Sequence, residues 1–194
     1  EILSENNTCE IIIQVMKYYS TNVSIIESGC WCIMVLASDN QDNQIKFANE
    51  GACNLLLEIL NNYATNIDII EIICRALRNL SSNLSIAAYF IAEGICDLIT
   101  GTIVIHTNNP IQLEAALWVV VNLSCQSDNA TVLGSSGICV AVTDALRGNL
   151  DNENVLNAAC YAIRNLSCGS NFNYAQFSHT DVCQTLVTIL KKYS

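Results

Sequence analysis

The sequence predicts an all-α protein, a solenoid of stacked helical repeats, and three observations carry that prediction. Asn79, Asn122 and Asn165 stand 43 residues apart in RALRNLSS, WVVVNLSC and YAIRNLSC, and Gly51, Gly94 and Gly137 keep the same period, opening GACNLL, GICDLI and GICVAV. Within each period apolar residues recur at i, i+3, i+4 and i+7, as in ACNLLLEILNN at 52–62, which is the spacing of one helix face. No segment alternates at period two over a useful length, so no strand is expected. A recurrence of this length is the mark of a repeat architecture. A triplet of short helices is too small to bury its apolar faces alone, so neighbours must stack around one continuous core.

Laid out from the glycines, the units are 51–93, 94–136 and 137–180, with an earlier one over about 8–50 and a partial fifth over 181–194. About four units plus a partial one thus form a single domain, with no Pro-, Gly- or Ser-rich linker to divide it. TNVSIIE at 21–27 and TNIDIIE at 65–71 match at 44 residues, one loop insertion away from the common period. The first helix of a triplet is short, as in SIAAYFIAE at 85–93, and ends at a glycine able to take the left-handed conformation that stops a helix. The second helix follows that glycine and leads into a polar loop. The third begins after an Asx residue (Asn22, Asn66, Asn109 or Asn152) whose side chain is placed to accept a bond from an orphan amide. Pro110, the only proline, directly follows Asn109 at the first helical position, where a missing N–H costs nothing. Both ends are expected to cut through a longer array.

Composition narrows the function classes. With 52% hydrophobic and 13% charged residues the 194-residue chain has ample material for a core. A formal charge of −10 argues against a phosphate-backbone partner, so nucleic acid is not expected. The apolar runs WCIMVLA and ALWVVV are too short to span a bilayer, and no secretory leader is seen. Eleven cysteines are an odd count and mostly fall on apolar helical positions, which points to a reducing intracellular setting, cytoplasmic or nuclear. Of seven N-x-S/T words, three are the repeated NLS, and they are read as accidental.

A unit near 43 residues, a glycine between the first and second helices, and a third helix ending in (A)xxLxNLS together resemble the armadillo repeat. The words that match are AAYFIAEG, CRALRNLSS, AALWVVVNLSC and AACYAIRNLSC, and the resemblance runs over nearly the whole chain. It implies a right-handed superhelix whose third helices line a concave groove, a non-catalytic protein-binding scaffold, and no cofactor.

Residues four apart on a helix share a face. Stepping back from each asparagine gives Glu71, Arg75, Asn79; Glu114, Trp118, Asn122; and Asn157, Tyr161, Asn165, while the first unit offers Glu27, Trp31 and Val35. Stripes this polar do not suit a core and are expected to face solvent or a ligand. An asparagine amide carries both a donor and an acceptor, so it can pair with the backbone of an extended peptide, and an aromatic beside it offers a wall for an aliphatic stem or a cation. The same asparagines near helix ends also suit a second role, bonding a neighbouring carbonyl to hold the next repeat in register. Trp118 and Asn122 look like the WxxxN pairs with which importin-α-like adaptors hold basic peptides. Arg78 and Arg164, in LRNLS and IRNLS, are closer to β-catenin-like repeats, whose groove prefers acidic ones. The expected partner is another protein, presenting an extended segment; its charge is left open between these two, and a regulatory or scaffold role in a larger cytoskeletal or small-GTPase signalling protein is a further alternative.

Cys30 and Cys32 form a C-x-C, but neither His106 nor His179 has a cysteine at zinc-ligand spacing, so no metal site is expected. GSSG at 134–137 lacks the lysine and preceding strand of a phosphate loop and is read as an inter-helix turn. His179 replaces the glutamate found at Glu50 and Glu93 beside a missing fourth glycine, which suggests a drifting terminal repeat. No catalytic residue is nominated.

Overall fold

The computed structural model describes residues 7–168 and 170–193, and thirteen helices lie among them. They run α1 (Thr8–Tyr18), α2 (Val23–Ala37), α3 (Gln41–Asn49), α4 (Ala52–Tyr63), α5 (Ile67–Ser81), α6 (Leu84–Ala92), α7 (Ile95–Ile105), α8 (Pro110–Leu123), α9 (Ser127–Gly134), α10 (Ile138–Gly148), α11 (Glu153–Cys168), α12 (Asn171–Ser178) and α13 (Val182–Tyr193). Third helices α2, α5, α8 and α11 pack each on the next, and second helices α1, α4, α7, α10 and α13 form a parallel stack. No strand occurs among the described residues, as the periodicity predicts.

Local chemistry punctuates the helices. Gly51, Gly94 and Gly137 take φ of 85°, 87° and 80°, the left-handed region that costs glycine nothing, and each turns a short first helix into a second. Asn7 holds the same place before α1 with φ 52°, which asparagine tolerates. Asp181 stands where a fourth glycine would. There the turn is closed by Thr180, whose hydroxyl donates to the Phe177 carbonyl at 2.8 Å and accepts from the Val182 amide at 3.3 Å. GSSG is a turn, with α9 ending at Gly134 and α10 following Gly137.

Asn22, Asn66 and Asn152 cap α2, α5 and α11, accepting from the amides of Ile25 (3.2 Å), Asp68 (3.0 Å) and Val155 (3.1 Å). Asn109 departs from the expectation and makes no capping bond. Pro110 follows it, removing one orphan donor and presetting φ, so that start needs the cap less. The first helices have caps of their own that the sequence reading passed over: Asn40 on the Asn43 amide, Asn83 on the Ser85 and Ile86 amides, and Ser170 on the Asn173 amide.

The core runs unbroken along the array, with Leu56, Leu60, Ile69, Ile73, Leu77, Leu113, Leu117 and Leu146 wholly buried. Cys53, Cys96 and Cys139 recur at one buried place on the second helices, and Cys30 and Cys74 at another on the third. At the equivalent places further along the array, Cys160 is only partly buried and Cys183 is exposed. Burial pushes the thiols of Cys30 and Cys74 up to about 12, and those of Cys53, Cys96 and Cys139 to about 11, because a thiolate is disfavoured away from water. The Cys30–Trp31–Cys32 segment divides, with Cys30 buried and Cys32 in solvent.

Asn173 is fully buried and ties three helices together, donating to Ala130 O of α9 (2.7 Å) and Leu166 O of α11 (3.0 Å). Gly134 makes room for it, since a Cβ there would overlap the Asn173 amide. Gly134→Ala is therefore expected to lower unfolding free energy by about 1–3 kcal/mol through overpacking, although alanine is the better helix former. Gly101→Ala, where a Cβ meets nothing within 4 Å, is expected to be neutral or to stabilise by about 0.5–1 kcal/mol; urea titrations of both variants check the contrast.

The buried thiols predict an alkaline limit. In the unfolded chain they ionise around the ordinary 9.0, whereas in the folded chain they stay protonated to higher pH. Their contribution is therefore complete below pH 9 and falls as pH rises toward 12. Between those values Cys30 and Cys74 each cost about 1.4 kcal/mol of stability per pH unit. Thermal melts from pH 8 to 11 are expected to show a falling midpoint, with a shallower slope in Cys74→Ala.

Candidate groove on the third-helix face

The asparagines sit near helix ends because those ends have something to offer. The last four carbonyls of a helix lack an intrahelical donor of their own. Asn79 of α5 donates through Nδ2 to Met34 O of α2 at 2.7 Å, Asn122 of α8 to Arg78 O of α5 at 2.7 Å, and Asn165 of α11 to Val121 O of α8 at 3.0 Å. Each rung thus fastens one third helix to the last turn or so of the one before it. Val35 occupies the rung position of α2 and is exposed. The three asparagines are half-buried, and among the described residues their amide oxygens accept no bond. The bracing role is therefore occupied by one N–H of each amide; at Asn79 and Asn122 the oxygen and the second N–H are left over, whereas Asn165 Nδ2 also donates to Cys125 Sγ at 3.8 Å and keeps only its oxygen.

The stripe beside the rungs is built from contacts along and between helices. On α5, Arg75 Nε pairs with Glu71 Oε1 at 2.8 Å. On α8, Trp118 Nε1 donates to Glu114 Oε1 at 3.3 Å. Between helices, the Trp118 and Tyr161 rings lie 5.6 Å apart at 36°, and the Arg78 guanidinium sits 4.6 Å from the Trp118 ring centre. Burial, with Arg75 adding like charge, lowers the guanidinium's affinity for its proton, and Glu114 partly offsets this. Trp31 is half exposed, and Glu27, Asn157, Tyr161 and Arg164 are exposed. The structure thus gathers Arg78, Trp118, Glu114 and Tyr161 into one cluster and leaves Trp31 apart from it.

A second ladder escaped the sequence reading. His106, with its proton on Nε2, bonds Ala64 O at 2.7 Å; Asn149 Nδ2 bonds Thr107 O at 3.0 Å; and the Tyr193 hydroxyl bonds Leu150 O at 3.1 Å. Each lies at or near the end of a second helix and reaches the loop of the preceding repeat. Histidine, asparagine and tyrosine share no letter, only the ability to donate, so no recurring word marks the ladder. Among the described residues no three His, Cys, Asp or Glu gather as metal ligands would, and no single helix is long and apolar enough to cross a membrane.

Because the rung bonds hold consecutive helices together, Asn122→Ala is expected to cost about 1 kcal/mol of stability, the net worth of the lost bond, since the Arg78 carbonyl keeps the Ser82 amide at 3.2 Å and the Ser81 hydroxyl at 3.1 Å. Asn157→Ala, on an exposed position of the same stripe, is expected to stay within about 0.5 kcal/mol of the parent. Denaturant midpoints at constant m-value separate the two.

No protein-family model and no curated protein matches the sequence. Solved structures do match in shape. A designed armadillo repeat protein in complex with the peptide (KR)4 superposes with a TM-score of 0.82 at 18% identity, over 96% of this chain and 75% of that one. Computationally designed armadillo repeat proteins for modular peptide recognition give 0.80 at 16% identity over 96% and 76%. An engineered protein gives 0.85 at 15% identity over 97% and 44%. This chain has the armadillo-repeat fold.

Proposed function

We propose that the face formed by α2, α5, α8 and α11 holds an extended segment of another protein, and that the chain serves as a non-catalytic interaction scaffold. The observation that carries this is the state of the rung amides. Asn79, Asn122 and Asn165 are each oriented by a bond to the preceding helix; each keeps an oxygen with which to meet a peptide amide, and Asn79 and Asn122 also keep an N–H with which to meet a peptide carbonyl. Packed helices lie about 8–10 Å apart, and an extended chain advances about 3.3 Å per residue, so one rung meets the segment every two or three residues. Orientation by a brace also lowers the entropy lost on binding. The designed neighbours that bind peptides on the same fold are consistent with this use.

The test uses residues on the stripe that make no rung bond. Trp31 and Tyr161 are 50% and 43% exposed; Trp31→Ala is expected to leave the melting temperature close to the parent's, and Tyr161→Ala, which loses the ring contact with Trp118, to lower it modestly. Each is expected to weaken a segment recovered from a peptide array by about three- to tenfold. Val104→Ser and Val140→Ser, exposed positions on second helices, serve as controls. Affinities unchanged by the first pair and reduced by the second would place the binding surface elsewhere.

A further inference from the structure

Trp118 and Asn122, four residues apart on α8, hold the same residue of α5 at two points. The indole takes the Arg78 guanidinium at 4.6 Å, and the amide takes the Arg78 carbonyl at 2.7 Å. At the other rungs the gripped residues are Met34 and Val121, which bring no charge. Among the described residues, only here does the preceding repeat insert a cation against an aromatic ring of the stripe.

A ring face that carries one guanidinium has no room for a second, and a second cation beside it is repelled. Arg78 also has donors to spare. Arg75 uses its Nε on Glu71, but among the described residues no carboxylate lies within ion-pair distance of Arg78. A planar, half-desolvated guanidinium with unspent N–H groups suits a carboxylate.

We propose that Arg78 is the specificity-determining residue of the groove: it fills the cation-accepting face of Trp118 from within the chain. The rung thereby refuses lysine or arginine and takes a segment carrying a carboxylate there. This rests on the groove being the binding surface. It also explains how a WxxxN pair can be present in a groove that does not select basic segments.

The experiment is fluorescence anisotropy with labelled (KR)4, and with two Ala/Ser peptides that differ only in one central residue, Glu or Lys. The proteins are the parent chain, Arg78→Ala, Arg164→Ala and the double variant Arg78→Ala/Trp118→Ala. Where Arg78→Ala melts early, Arg78→Gln, which removes the charge and shortens the side chain, is read in its place. In Arg78→Ala the (KR)4 affinity is expected to rise about three- to tenfold, beyond any rise in Arg164→Ala, and the gain is expected to vanish in the double variant. The parent is expected to prefer the Glu peptide over the Lys peptide, and Arg78→Ala to lose that preference. An equal gain in Arg164→Ala, or a gain that survives loss of Trp118, would mean that net charge alone is at work and overturns the proposal. If Arg78→Ala binds as the parent does while Trp31→Ala weakens binding, Arg78 is not the selector and the groove stands. If no peptide binds any variant and Trp31→Ala changes nothing, both fall.

Discussion

One hydrogen bond, made three times, is the constraint on which the rest depends. An asparagine near the end of each of α5, α8 and α11 donates to the backbone of the third helix before it, at Met34, Arg78 and Val121. Helix ends leave carbonyls that must find donors or water, and a repeat protein has one such end in every unit, always beside the next unit. Placing a short amide donor there satisfies the carbonyl and fixes the offset between neighbours together. Hydrophobic contact alone is non-directional and would let α5 slide along α2. A directed bond from a half-buried amide does not permit that slip.

The second helices solve the same problem on the other side of the core. His106, Asn149 and Tyr193 reach back to the loop carbonyls at Ala64, Thr107 and Leu150. With the core between them, the two ladders hold units 94–136 and 137–180 against their predecessors at two separated points, which resists rotation as well as sliding. The first helices add Asn173, wholly buried and bound to both Ala130 and Leu166, with Gly134 leaving the space it needs. Asn43, Gln44, His106 and Asn173, buried in an array this apolar, are tolerated because each bonds a backbone carbonyl.

Bracing also prepares the surface that is proposed to bind. An amide held through one N–H points its remaining groups in a fixed direction, so the ladder that sets the register of the helices also sets the spacing of possible contacts along the groove. The aromatic stripe beside it is uneven. Trp118 is covered by Arg78 and neighboured by Tyr161, whereas Trp31 is half open to solvent. Two tryptophans at equivalent positions thus meet different surroundings: Arg78 of α5 reaches Trp118, whereas Trp31 lies on α2, the first third helix among the described residues.

The sequence by itself determined the helical triplets, their period, the glycine turns and the face on which the asparagines lie. These depend on local preferences and on spacing, both of which are written along the chain. It also presented two roles for the asparagines, facing a ligand ahead of bracing a neighbour, since an amide near a helix end suits both a peptide and a carbonyl. Only the tertiary structure decided that one N–H of each is spent on the preceding helix. That partner lies 44 or 45 residues away and is a backbone group, which no letter of the sequence marks. The second ladder stayed hidden for the same reason, because three unlike side chains share only a donor. Arg78 was legible as a charge in LRNLS. Its place on the Trp118 ring was not, because that contact exists only once α5 and α8 are set side by side.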